Sequence, residues 1–277
     1  MELVILARQR GFGENFRLSV AGEVICSRLV VRYLGMWIDS QLTFGEHIRR
    51  AADEAAGVSR MLLRLMPNVG GPREVKRRLL ASVFNSILLY GTEVWVDAFA
   101  RKDVRERLTL VQRIGSIRIA FSYRTVSSAA AIVIAQTIFV VLLARERRRK
   151  FLGSSDESDS DRHEETLMTW QQEWGQSVVG RWMQCLLPHL RPWEERGHGE
   201  VNYHLTQFLF GLGQFDAYLH HMAVKALPRC SYCPALDDTF EYTFFVCERW
   251  HRERQQLVDK ISVAPTSETI ILEMLSS

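Results

Sequence analysis

The 277-residue sequence is poor in the features that mark several whole classes of protein. Five cysteines are too few for a disulfide scaffold, and seven prolines with seventeen glycines are too few for fibrous or low-complexity structure. Residues 1–10 interrupt their short apolar run with charges, which is not the pattern of a secretory leader. Nucleophilic triads, phosphate loops and metal-hydrolase helices are not evident. The glycine pairs Gly11-Phe-Gly13 and Gly211-Leu-Gly213 lack the strand, third glycine and helix of a dinucleotide site and read as turns. What remains is an ordinary folding composition, 47% hydrophobic and 24% charged, long enough for about two domains. The chain is expected in an intracellular, reducing compartment, cytoplasmic or nuclear.

The net charge of +3 conceals an uneven distribution: residues 1–152 carry +12 and residues 153–277 carry −9. A basic half points to a polyanionic partner, the alternative being a well-solvated, arginine-rich surface.

Residues 1–43 read as strands and turns, with Phe16–Val20 alternating at period two and Leu29–Ile38 forming a second β-rich stretch. From Gly45 the period changes, and Ile48, Ala52, Ala55, Val58, Leu62 and Leu65 predict one amphipathic helix. After the break at Pro67 to Pro72, a second helix is predicted with Val75, Leu79, Val83 and Ile87 on its buried stripe. Arg73, Lys76, Arg77 and Arg78 crowd its first turns, where cations oppose the macrodipole. They read either as contacts to an anion or as the solvated face of a turn. A third helix is predicted over 102–121, with Val104, Leu108, Val111, Ile114, Ile117 and Phe121 inward. The apolar run Val126–Ala144 reads as the buried central helix of a bundle; a membrane span is the rival reading, and no membrane is expected because Ser127, Ser128, Gln136 and Thr137 dilute the run.

Residues 153–165, GSSDESDSDRHEE, contain no apolar side chain and are expected to be a disordered acidic linker. Residues 166–277 hold five of the seven tryptophans and four of the five cysteines. Cys230 and Cys233 are spaced to grip one Zn²⁺, with Cys247 fourteen residues on and His251 a helical turn beyond. The alternative is a buried, inert set of thiols. Asp237-Asp238 lies between these positions and reads as loop chemistry.

At Tyr33-Leu-Gly-Met-Trp-Ile-Asp39, with Leu42-Thr-Phe44 and His47, the sequence resembles the segment after the polymerase palm in reverse transcriptases of non-LTR (LINE-type) retrotransposons of arthropod type. The resemblance continues in order through Leu89-Tyr90-Gly91 with Trp95, Tyr123-Arg-Thr-Val-Ser127, Trp174 to Trp182, Leu205-Thr-Gln207 with Gly211 and Gly213, and the cysteine motif with Asp238, Thr239 and Glu241. Six blocks in order cover nearly the whole chain. The pattern is broken at Tyr242, where the family has its histidine ligand, at Phe139 in place of proline and at Leu212 in place of histidine.

The resemblance implies a mainly α fold: a small β remnant of the palm (1–43), a helical thumb bundle (44–152), the acidic linker (153–165), and a second helical domain (166–277) with a zinc-knuckle-like motif at 230–251. It implies a C-terminal fragment of an RNA-directed DNA polymerase that binds template-primer nucleic acid, an RNA/DNA duplex, and whose upstream palm and fingers are missing. Tyr33, Leu34 and Gly35 stand at a primer-grip-like turn, and Arg49, Arg50, Lys76, Arg77 and Arg78 are the expected phosphate contacts. Cys230, Cys233, Cys247 and His251 are the expected ligands of a weak zinc site. The aromatic-x-Asp-Asp motif that holds Mg²⁺ in the intact parent polymerase does not occur in residues 1–277, so no catalytic residue is assigned. The competing expectation is a non-catalytic protein-interaction module or a functionless pseudogene product.

Overall fold

The computed structural model describes residues 2–7, 16–153, 157–261 and 264–276; Gly11 and Gly13 lie outside them. The chain is mainly helical, with a small two-sheet β region at the N-terminus and a cysteine cluster near the C-terminus. The strands are β1 (Arg17–Val20), β2 (Glu23–Cys26), β3 (Val30–Tyr33) and β4 (Met36–Asp39). The helices are α1 (Gly45–Leu63), α2 (Glu74–Leu88), α3 (Thr92–Trp95), α4 (Lys102–Ile119), α5 (Ser128–Ile134), α6 (Val140–Leu152) and α7 (Asp159–Gly175). They continue with α8 (Arg181–Leu186), α9 (Arg191–Glu194), α10 (Tyr203–Phe210), α11 (Asp216–His221), α12 (Phe240–Phe245), α13 (His251–Ile261) and α14 (Ile270–Ser276).

The strands form two separate antiparallel hairpins, β1–β2 and β3–β4. Each is closed by two residues at positive φ, Ala21-Gly22 (+53°, +84°) and Leu34-Gly35 (+46°, +83°). Two successive positive φ values give a turn whose twist matches that of the flanking strands. Leaving β4, the Asp39 carboxylate accepts from the backbone N–H groups of Gln41 (3.1 Å), Thr43 (3.0 Å) and Phe44 (2.7 Å), which fixes the entry into α1.

Two compact units result, and they do not follow the sequential division expected at 43, 152 and 165. One comprises residues 1–64, 80–115 and 139–166; the other comprises 65–79, 116–138 and 167–277. Within the first, Ile48, Phe84, Leu88, Trp95, Phe99 and Leu108 are almost wholly buried. Phe84 fills the space beside Gly115, where an added Cβ would lie 1.8 Å from the ring Cζ. Arg147 donates to the Leu89 carbonyl at 3.0 Å and Arg148 donates to that of Glu93, so part of the basic run after Ala144 serves to tie α6 to the end of α2 and to α3.

The stripe expected on α2 is displaced. Its buried face consists of Glu74, Arg77, Ala81, Phe84 and Leu88, whereas Val75, Leu79 and Val83 are 62%, 71% and 46% exposed. Two buried charges occupy helical positions where a hydrophobic pattern looks for apolar ones. α4 carries the expected stripe, with Val104, Leu108, Val111 and Ile117 buried.

In the second unit the core gathers on α5, where residues 130–135 are buried, together with Trp170, Trp174, Leu186 and Trp193. Two of the three indole N–H groups are satisfied, Trp193 donating to Val133 O at 3.0 Å and Trp174 to Leu187 O at 2.8 Å, whereas Trp170 Nε1 is buried without a hydrogen-bond partner. The run 126–144 is therefore not one helix. α5 stops where Gln136 takes φ +48° and its amide donates to Glu194 O at 2.8 Å, and α6 restarts at Val140. No single helix of the described residues is long and apolar enough to cross a membrane.

The acidic stretch is also corrected in part, since α7 begins at Asp159. Ser158 Oγ accepts from Asp161 N at 3.1 Å while the Asp161 carboxylate accepts from Ser158 N at 3.2 Å, a reciprocal cap. Carboxylates in a first helical turn are favoured by the macrodipole, so acidity here starts a helix rather than dissolving one.

Candidate nucleic-acid interface and metal centre

In the first unit the Leu34-Gly35 turn meets the end of α2. Tyr90 Oη donates to Leu34 O at 2.8 Å, and a Cβ on Gly35 would stand 3.0 Å from that same hydroxyl. Gly91 packs more closely still on Met36, whose sulfur would lie 2.4 Å from an added Cβ. Glycine is thus required at position 35 by both its φ and its neighbour. Two blocks that lie 56 residues apart in sequence are brought into one place.

Beside them is a hollow of about 450 Å³ whose walls include Arg32, Trp37, His47, Arg50, Glu54 and Tyr90. The Arg50 guanidinium lies 3.9 Å from the Trp37 ring centre, with Arg32 at 6.0 Å from it. A guanidinium stacked on an indole, here Arg50, gives a cationic, planar surface, and Arg32 stands at the outer limit of such contact. His47 is buried, its Nδ1 accepting from Trp37 N at 3.5 Å, and burial lowers its pKa, which keeps the imidazole uncharged at neutral pH.

The arginines of α1 are partly engaged. Glu46 accepts from Arg49 at 2.6 Å and from Arg50 at 2.5 Å, and Arg49 reaches Asp53 at 3.2 Å. Hydrogen bonds from Arg49 and then Arg50 hold the Glu46 carboxyl down at about 2. A phosphate approaching Arg49 or Arg50 competes with this carboxylate. Tyr33 and Leu34 are exposed.

In the second unit Arg77 is not a phosphate contact. It is 0% exposed, and its guanidinium donates to Pro72 O at 2.7 Å, Arg118 O at 2.7 Å and Met66 O at 3.3 Å, and also to Pro67 O. The Phe121 ring lies 3.7 Å from its central carbon. Arg77 joins the 66–72 turn to the C-terminal carbonyls of α4, where a cation is favoured. Burial lowers its pKa to about 10, and at neutral pH it is charged. Arg78 is half-buried and donates to Glu74 at 2.8 Å and to Gln136. Buried Glu74 is the hub, also accepting from Arg196 at 3.0 Å and from Val201 N at 2.7 Å. Lys76 is exposed on the opposite side of the helix turn.

The cysteine motif does come together. The Sγ atoms of Cys230, Cys233 and Cys247 all lie within 4.8 Å of one another, Cys230–Cys247 and Cys233–Cys247 each at 3.9 Å. A tetrahedral Zn²⁺ with Zn–S bonds of about 2.3 Å holds sulfurs about 3.8 Å apart, so the donor set fits the ion. The turn that presents the first two thiols is closed by Cys230 N to Ala235 O at 3.2 Å. Asp238 anchors it, accepting from Asp216 N at 3.0 Å and from the Thr243 hydroxyl. The pair Asp237-Asp238 therefore serves the loop at Asp238, as expected. Burial pushes the Cys230 thiol up to about 11, while the Tyr242 hydroxyl, 2.9 Å from Cys233 Sγ, lowers the Cys233 pKa. His251 is exposed and is not part of the cluster, which corrects its assignment as a ligand.

No family model and no solved structure matches the chain. Over 131 residues, 44% of its length, it is 30% identical to the Retrovirus-related Pol polyprotein from type-1 retrotransposable element R1 of Nasonia vitripennis. The match spans 37% of that relative. The similarity supports a retrotransposon-related chain of reverse-transcriptase-related origin.

Sequence reasoning missed Trp37, Arg32 and Tyr90 as a group. Trp37 and Tyr90 sit inside recognised blocks, but only the hairpin register, which pairs Arg32 with Trp37, puts the arginine beside the indole. The roles of Glu74 and Arg196 left no local signal, because the two are 122 residues apart.

Proposed function

We propose that this chain is a non-catalytic, nucleic-acid-binding part of a non-LTR retrotransposon reverse transcriptase, comprising the trailing hairpin of the palm, thumb helices and a Cys-rich terminal region. The observation that carries this reading is the Arg50 guanidinium stacked on Trp37, with Arg32 at 6.0 Å from the same ring, beside the Leu34-Gly35 turn. An exposed turn next to a stacked guanidinium suits the sugar-phosphate backbone of a template-primer duplex, which gives affinity with little sequence information. Arg32, Arg49 and Arg50 are the proposed phosphate contacts, Arg49 and Arg50 in competition with Glu46. Because residues 1–277 contain no aromatic-x-Asp-Asp motif, the proposed role is to hold nucleic acid rather than to transfer nucleotides. The three thiolates are proposed to bind Zn²⁺, which would supply folding energy to the loop between Pro228 and Cys247.

The test is the affinity for an RNA/DNA duplex as a function of salt. Three phosphate contacts give a slope of log affinity against log salt of roughly −3, and Arg50→Ala flattens it by about one. A flat slope, or no binding below about 0.1 M salt, refutes the reading. A protein-interaction role is the second reading, favoured by the exposed apolar row Val75, Leu79 and Val83 on α2. Retention of partner binding by a duplex-blind chain would select it.

A further inference from the structure

The thiol cluster has three donors and a fourth wall of a different kind. Among the described residues, the group of His, Cys, Asp and Glu donors lying within 4.8 Å of one another contains Cys230, Cys233 and Cys247 alone. Asp238 and Asp216, which hold the loop around the thiols, are committed elsewhere. Asp238 accepts from Asp216 N and Thr243, and Asp216 accepts from Lys225 at 2.5 Å and from Ser231 at 2.8 Å. The residue that faces the thiols is Tyr242, carried one turn into α12, whose first turn is capped by Thr239 Oγ1 accepting from Tyr242 N at 3.1 Å. That cap fixes the tyrosine's place on the helix, and its hydroxyl stands 2.9 Å from Cys233 Sγ.

A phenol hydroxyl gives its hydrogen to a sulfur more readily than it gives an oxygen lone pair to a metal, since a thiolate is an acceptor and a neutral phenol a donor. The two atoms lie 2.9 Å apart, within hydrogen-bonding reach, and once Cys233 is a thiolate only the phenol can donate. A second donor reaches the cluster in the same sense, the N–H of Tyr232, 3.5 Å from Cys230 Sγ. Both sit outside the ligand sphere and reduce the negative charge gathered by three thiolates, as partners of metal ligands commonly do. Cys247 is wholly buried and Cys233 is the most open of the three, so the cluster is accessible at Cys233.

We propose that this site holds a thiophilic divalent metal ion through Cys230, Cys233 and Cys247 alone, and leaves its fourth coordination position to an exchangeable donor from outside the chain. Tyr242 is a positioning residue, hydrogen-bonded to the Cys233 sulfur. A closed four-ligand site is inert to added ligands, whereas a three-ligand site keeps one open position. The ligand class that this position accepts is a small neutral nitrogen or thiol donor. The inference rests on the reading of the thiol cluster as a metal centre.

The test uses the full chain, reduced and freed of metal, titrated with Co²⁺ in place of zinc, with imidazole as the added ligand. Sulfur-to-cobalt charge-transfer absorption reports thiolate binding, and the visible d–d bands report the fourth ligand. Wild type is expected to bind Co²⁺ and to shift its d–d bands when imidazole is added. Tyr242→His supplies a fourth donor on the same helix turn; it should bind Co²⁺ at least about tenfold more tightly, and its spectrum should ignore imidazole. Tyr242→Phe should keep the wild-type response to imidazole, and so should His251→Ala. If wild type binds Co²⁺ but imidazole changes nothing, the fourth position is already filled from within the chain and the proposal is overturned, with a changed His251→Ala spectrum naming His251 as the donor. If no charge-transfer absorption develops at all, the metal-centre reading itself fails.

Discussion

Replacing Arg77 by lysine separates a structural cation from a phosphate contact. The guanidinium directs its N–H groups at four backbone carbonyls, those of Met66, Pro67, Pro72 and Arg118, from a fully buried position beside the Phe121 ring. A lysine ammonium has three donors on a single nitrogen and no plane to lay against the ring, so it reaches two of these carbonyls at most. Hydrogen bonds involving a charged group contribute about 1.5–3 kcal/mol each, so losing two, with some relaxation and entry of water, should cost about 3 kcal/mol. With a urea m-value near 3 kcal/mol/M, the upper end for small proteins, the midpoint of unfolding should fall by about 1 M. Arg78→Lys keeps a cation beside buried Glu74, which Arg196 also serves, and should move it by less. Equilibrium urea unfolding followed by tryptophan fluorescence reads both. If Arg77→Lys leaves the midpoint unchanged, the assignment of Arg77 to the interior is wrong.

Other consequences can be measured on the same protein. Gly115→Ala places a methyl group 1.8 Å from Phe84 Cζ and should destabilise by about 2–3 kcal/mol; the double variant with Phe84→Leu should recover part of that loss, and simple additivity would argue against the contact. Glu46 titrates near 2 in the fold against an ordinary value of 4.5, so the stability it contributes is complete above pH 4.5 and is lost as pH falls from there through 2. Because both arginine partners are exposed the effect is small, and Glu46→Gln should flatten that portion of the stability-pH curve; an unchanged acid limb would contradict the pairing with Arg49 and Arg50.

What could be read from the chain alone follows the physics of each element. The hairpin at 30–39 is legible because Gly35 marks a turn within a β-rich run, and α4 because its stripe is apolar throughout. The buried face of α2 is illegible for a specific reason. Glu74 and Arg77 are inward and compensated by Arg196, Arg78 and distant carbonyls, so hydropathy selects the opposite, exposed row. The same limit applies to the run 126–144, where Gln136 breaks the helix by a backbone conformation and amide contacts to residues 193 and 194 that no local pattern announces. For the site, spacing was enough to bring the three thiols together, but not to locate His251, because the register between Cys247 and α13 passes through a short 3-10 turn at Glu248–Trp250.

The interleaving of the two compact units restricts how this molecule can be dissected. Residues 65–79 and 116–138 belong with the tryptophan-rich remainder, while 139–166 return to the hairpins and α1. A protease nick or a cloning boundary placed in the acidic stretch near residue 155 would therefore give two pieces, each with an orphaned part of the other's interior. Glu74 would be on one piece and Arg196 on the other. Biochemistry on the cysteine-rich end should keep the intervening helices attached.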